Sequence, residues 1–145
     1  MRSTWRYSGI RAVVLGAALL AGFGCGRPAP KTFAVEGRVV LPGVDPRQLA
    51  GGRVEVVLPG DRTVQAAGEI GEDGRFSLQT IHAGKPLVGA PRGEYQARIV
   101  LSDEDRGDRL RRGLPVARRF SNFKTSGLSV RVPPEGDVTL AVARK

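Results

Sequence analysis

"GEIGEDGRFSLQT", residues 68–80, places Glu72, Asp73 and Gly74 between two short apolar stretches. Such a cluster can be a calcium loop, part of an active site, or a turn. A calcium loop of the EF-hand type takes oxygen ligands from alternating positions and a further carboxylate at its end. Here the two acids are adjacent, and the next acid is Glu94. Asp-Gly between alternating apolar residues is instead a strong short-range hairpin signal, because glycine tolerates the positive φ of a tight turn. The stretch predicts a turn followed by a strand through Phe76 and Leu78, and with it a β fold.

Outward from that turn the same period of two recurs. Phe33, Val35, Gly37, Val39 and Leu41 alternate with Ala34, Glu36, Arg38 and Val40, the spacing of a half-buried strand. Val54, Val56 and Leu58 alternate with Glu55 and Val57, and a weaker pattern runs through Val64, Ala66 and Ile70. Tyr95, Ala97, Ile99 and Leu101 form the clearest strand; Leu128, Val130 and Val132, then Val138, Leu140 and Val142, complete the set. Seven short strands separated by Gly, Pro and Asp clusters predict an antiparallel all-β sandwich or barrel. Phe33, Val54, Val56, Phe76, Leu78, Tyr95, Ile99, Leu128, Val130 and Leu140 are its expected core. No helical period follows residue 25, and "SDEDRGDRLRR" at 102–112, interrupted by Gly107, reads as a solvated loop.

The first residues carry Arg2, Arg6 and Arg11 and no acid ahead of an apolar run at 12–23. That is the layout of a secretory signal peptide, and the run is shorter than the roughly 20 residues a membrane span needs. Cys25, the only cysteine, stands where the run ends. The segment resembles a bacterial lipobox, in which the cysteine sulfur takes a diacylglycerol before the signal is cut away. Gly22-Phe23-Gly24-Cys25 lacks the aliphatic residue of that pattern three places before the cysteine, and Gly22 and Gly24 also suit an ordinary cleavage site that would leave Cys25 unmodified. The reading adopted is a signal at 1–24, a lipidated Cys25 opening a Gly/Pro tether at 25–31, and one domain at 32–145. Removing the residues before Cys25 lowers the formal charge from +9 to +6. With a single cysteine, no intrachain disulfide is available and the domain must rely on its core.

Four segments taken together, "FAVEGRVVLPG", "GEDGRFSLQT", "GAPRGEYQARIVL" and "RRFSNFKTSGLSVRV", resemble small exported lipoproteins of planctomycete-type bacteria. These belong to the carboxypeptidase-regulatory-like, or transthyretin-like, β-sandwich group. The resemblance covers residues from about 31 to 142. It implies a seven-stranded Greek-key β-sandwich of the transthyretin-like (prealbumin-like) kind, with the Asp-Gly-Arg-Phe turn and the Gly-Glu-Tyr strand entry as landmarks. Phe120 stands where many relatives carry tyrosine, and Arg111, Arg112, Arg118 and Arg119 make the preceding stretch more basic than theirs. The resemblance supplies no active site.

Enzymes on related sandwiches need residues missing from this sequence. Hydroxyisourate hydrolases use more than one histidine and a Tyr-Arg-Gly-Ser motif, whereas His82 is the sole histidine and the final residues read "LAVARK". Intradiol dioxygenases place two tyrosines and two histidines on iron. No serine has a nucleophile motif around it, and His82 in "IHAGKP" reads as a solvated loop residue. No catalytic residue, metal ligand or cofactor is therefore expected.

Arg106, Arg109, Arg111, Arg112, Arg118 and Arg119 crowd one stretch and would create a field that attracts anions. Asp103, Glu104, Asp105 and Asp108 beside them favour a self-paired loop. Nucleic acid is not an expected partner, since few aromatics interleave with the cations. Two classes remain. The first is a membrane-anchored, exported, non-catalytic binding or structural module, lipid-anchored to a bacterial membrane, facing the periplasm or cell exterior and touching an anionic envelope polymer, a glycan or an envelope protein through those arginines. The second is an accessory subunit of an envelope hydrolase whose catalytic residues lie on another chain.

Overall fold

The computed structural model describes residues 28–101 and 116–144. The signal segment, Cys25, Arg106, Arg109, Arg111 and Arg112 lie outside the described residues. Half of the described residues are in strands, arranged in sheets of six, three and two strands around a shared core.

The six-stranded sheet has the order β10 (Leu128–Val132), β9 (Gly93–Val100), β3 (Arg53–Leu58), β4 (Asp61–Glu69), β6 (Gln79–His82) and β7 (Lys85–Val88). All its pairings are antiparallel. The three-stranded sheet places β2 (Glu36–Val40) between β11 (Val138–Ala141), parallel to it, and β5 (Arg75–Ser77), antiparallel. A small pair joins β1 (Thr32–Phe33) to β8 (Ala90–Pro91). Val54, Val56, Tyr95, Ile99 and Val130 from the large sheet meet Val39, Phe76 and Leu140 from the smaller one in one apolar core. Burying alternate side chains between two sheets is what the period of two requires. Of the expected core, eight residues are buried, while Phe33 and Leu128 pack partly exposed against it.

Eleven strand segments stand among the described residues where the sequence pattern gives seven. The extra ones arise because continuous strands change partners. The stretch that leaves the Asp73-Gly74 turn runs through β5 in one sheet, passes Leu78, and continues as β6 in the other. Leu78 is fully buried; its N–H donates to the Val35 carbonyl at 2.9 Å, and its own carbonyl accepts the Gly89 N–H at 2.7 Å. Val35, also fully buried, sits at the break between β1 and β2. Both strands thus switch sheets at one place while their apolar faces stay in the core. Backbones meet closely there: a side chain at Gly89, whose φ is +83°, would overlap the Phe33 carbonyl.

The Asp73-Gly74 turn forms, but not as a hairpin within one sheet. Gly71 N–H bonds the Arg75 carbonyl at 2.8 Å, Gly74 N–H bonds Gly71, and the Asp73 carboxylate accepts the Arg75 N–H at 3.0 Å. Its two arms, β4 and β5, then diverge into different sheets. His82, expected in a loop, ends β6 opposite Lys85 across a tight Ala83-Gly84 turn in which both residues have positive φ. Val57, expected to face outward to solvent, is buried on that face.

A short helix, α1 (Phe123–Ser126), follows a 3-10 turn at Arg118–Ser121. Helical periodicity could not reveal it, because one turn is shorter than the period that would mark it. Asn122 caps it by accepting the Lys124 N–H at 2.9 Å, and Gly127 ends it with a left-handed φ of +66°, both ordinary cap chemistry. The buried Ser126 hydroxyl donates to the Ala97 carbonyl at 2.6 Å, fastening α1 to β9.

Candidate functional site

The outer face of the six-stranded sheet collects the polar residues that the strand alternation leaves outside. Arg98, Glu55, Ala67, Gln79 and Val88 lie in one register row across five strands. Gln65 and Thr63 on β4 and Ile81 on β6 flank that row. A shallow groove of about 490 Å³ runs here, lined by Arg53, Gln65, Gln79, Ile81, Arg98 and Phe123 among others. The small side chain of Ala67 leaves its floor low.

One end of the groove is rigid. Arg98 Nε and Nη2 both donate to Glu55 Oε2, at 2.8 and 2.6 Å, and the guanidinium lies 4.6 Å from the centroid of the Phe123 ring. The side chains of this pair are 36% and 24% exposed, so water screens it less than an open surface pair. Phe123 reaches the groove because Asn122 and Ser126 fix α1 against β9. The rest of this end is balanced in charge. Arg53 is opposite Glu69 in the ladder, and Arg131 is opposite Glu94 with an ion-pair distance of 3.7 Å. Groups of this kind can hydrogen-bond a polar chain along a fixed floor and stack a flat, weakly polar surface on the ring.

Of the six arginines singled out in the sequence, Arg118 and Arg119 fall within the described residues. Both are exposed on the 3-10 turn, and the Arg119 guanidinium lies 4.6 Å from the Phe120 ring centroid. Thr125 Oγ1 donates to the Arg119 carbonyl at 2.7 Å, tying the arginine turn to the helix that carries Phe123. β9 closes at Val100, opposite Arg53 on the groove wall. The described start and return of the arginine-rich stretch therefore border the Arg53–Phe123 end of the groove. Arg106, Arg109, Arg111 and Arg112 have no described position. His82 is remote from this end, on the β6–β7 hairpin.

Sequence reasoning missed the Glu55–Arg98–Phe123 cluster. Its polar members occupy outward positions in the alternation, which was readable. Their juxtaposition depends on β3 pairing with β9, forty-three residues apart between Glu55 and Arg98, which no local pattern encodes. Two described groups have shifted acidity. The Thr63 hydroxyl and then the Thr63 amide hold the Asp61 carboxyl below its usual range at the β3–β4 turn. Burial pushes the Tyr95 phenol above its ordinary value, and its O–H donates to the Pro91 carbonyl at 2.9 Å. Among the described residues no three metal-ligating side chains converge, and no helix is long and apolar enough to cross a membrane.

No family model matches the chain, and comparison with curated proteins gives no match.

Proposed function

We propose that this chain is a membrane-anchored, exported lipoprotein that acts as a non-catalytic binding or structural module of the cell envelope, holding an anionic, glycan-like polymer. The observation that carries the reading is Arg98, locked between Glu55 and Phe123 at the end of a polar groove bordered by the arginine turn. The Arg98–Phe123 floor and two amides offer hydroxyls and sugar faces complementary contacts at little entropic cost, since the groove is already ordered, and the acidic groups are left to the exposed arginines. The exposed arginines would add long-range attraction, which salt weakens because the Debye length is only about 8 Å at physiological ionic strength.

The finer fold we propose is the seven-stranded Greek-key arrangement of the transthyretin-like group. The parallel pairing of β2 with β11 and the Tyr95–Pro91 corner support it, the latter resembling the tyrosine corner of other β-sandwiches.

Binding of polygalacturonate, an acidic polysaccharide, to the purified full chain tests the function. Binding at low ionic strength that fades with salt, and that is lost when Arg111, Arg112, Arg118 and Arg119 are all changed to Ser, is the expected result. Equal binding by parent and fourfold variant, or no binding at low salt, overturns the reading.

A further inference from the structure

At the opposite edge of the six-stranded sheet the surface has another character. Ile81 is 67% and Val88 64% exposed, the two most exposed large apolar side chains among the described residues. Their register partners, Pro86 and Gln79, put them on the same outward face of the β6–β7 hairpin. β1, the first strand after the tether, lies beside β7 and pairs with β8. The hairpin edge is thus where the chain leaves for its N-terminal segment.

The local sequence is basic, although Arg92 also lines a hollow with Glu94 and Glu135. Residues 74–93 contain no Asp or Glu, and neither do residues 26–35, the two stretches that β1, β7 and β8 bring together. Lys31 and Arg92 lie 5.4 and 5.3 Å from the Phe33 ring centroid, and exposed Lys85 closes the hairpin turn opposite His82. Apolar side chains rimmed by lysine and arginine are the composition of surfaces that settle into the headgroup region of anionic bilayers.

We propose that the β6–β7 hairpin and the tether entry at Lys31, Phe33 and Arg92 form a face that lies on an anionic membrane surface. This rests on the lipid anchor at Cys25 proposed above. Five residues separate Cys25 from Lys31, so the six extended steps between them reach at most about 20 Å. An anchored domain is therefore held within reach of the headgroups at this edge.

The mature domain contains no tryptophan, since Trp5 is the only one in the chain. With Trp5→Phe in place, Val88→Trp puts a sole tryptophan on the hairpin, and Thr139→Trp puts one on the exposed face of the three-stranded sheet. Each protein, membrane-extracted and reconstituted, is measured in vesicles of equal parts phosphatidylcholine and phosphatidylglycerol carrying brominated lipid. The expected result is several-fold stronger quenching at position 88 than at 139. It falls to the level of position 139 when Lys31, Lys85 and Arg92 are changed to Ser, or when phosphatidylglycerol is omitted. Equal quenching at both positions in the anionic vesicles overturns the proposal, as does quenching at 88 that ignores both the cations and the anionic lipid. The mass of the N-terminal peptide from the same sample tests the anchor separately. An unacylated Cys25 overturns the anchor, while quenching at Val88→Trp by added vesicles still decides the face.

Discussion

The two edges of the six-stranded sheet are built from the same alternation and carry opposite chemistry. Near β9 and β3 each outward arginine faces a glutamate across the ladder, and Arg98 is further clamped by an aromatic ring. Near β6 and β7 no carboxylate exists in the local sequence, and exposed Ile81 and Val88 share the hairpin with Lys85. Self-paired charges stiffen a surface and cancel its field; charges of one sign leave the field available to a partner. The first edge suits a ligand recognised by shape and hydrogen bonds, and the second suits an extended anionic surface.

The largest effect should come from the core that holds both edges in one body. Phe76 is buried in the shared core, and its ring also lies against Gly37, where a side chain would meet it at 2.7 Å. Phe76→Ala should cost about 3–5 kcal/mol, read as a lowered denaturant midpoint. An unchanged midpoint would mean that the two sheets do not share this core. Leu78→Ala, at the sheet crossing, should cost about 2–5 kcal/mol. It should also loosen the β6–β7 hairpin more than the β3–β9 edge, measurable as faster amide exchange at Gly89 than at Ile99.

Next in size is the ion pair of the groove. Glu55→Gln leaves Arg98 without its carboxylate in a half-buried place and should cost about 1 kcal/mol, after discounting for solvent screening. A double-mutant cycle with Arg98→Gln isolates the coupling between the two. No coupling would show that the paired edge is paired only by proximity.

The sheet character of the fold was legible because alternation directly reports which side of a strand is buried. It located Val54, Val56, Tyr95, Ile99 and Val130 on the inner face, and the Asp73-Gly74 turn at its residues. Alternation says nothing about partners. It therefore joined β1 to β2 and β5 to β6, whose apolar phase continues unbroken through Val35 and Leu78 while the hydrogen bonds pass to another sheet. The same blindness hid the site: Glu55 and Arg98 were both visible as outward charges, but only the ladder sets them face to face. Phe120 and Phe123 lie on single turns too short to show a period, so their burial and contact were unreadable.

Acidity separates the molecule in a different way. Tyr95 is buried beneath the β8–β9 corner, and its folded-state pKa is raised above the unfolded value near 10 by that burial. The neutral phenol's contribution is therefore complete below about pH 10 and lost as pH rises through the folded value. Tyr95→Phe should flatten the alkaline limb of stability against pH. Asp61 has the opposite sign: the Thr63 contacts lower its pKa, so its contribution is present above about pH 4 and lost as pH falls through the folded value. Thr63→Val should remove the hydroxyl contact and weaken that acid dependence, a small change because the carboxylate is at the surface.

The smallest effect on stability should come from the residues on which the second edge depends. Ile81 and Val88 are about two-thirds exposed, so changing both to Ser removes little buried apolar area and should move stability by no more than about 0.5 kcal/mol. In a purely structural hairpin nothing else would change. If the edge rests on a bilayer, the same double variant should keep its melting temperature, yet place the hairpin farther from the membrane. Exposure of Lys85 to an aqueous amine-reactive label in reconstituted anionic vesicles reads that distance. Labelling should be slow in the parent and several-fold faster in the Ile81→Ser, Val88→Ser variant. Equal labelling would leave the two edges different in composition but not in use. A simultaneous loss of polymer binding would show that Ile81, which also lines the groove, serves the first edge rather than the second.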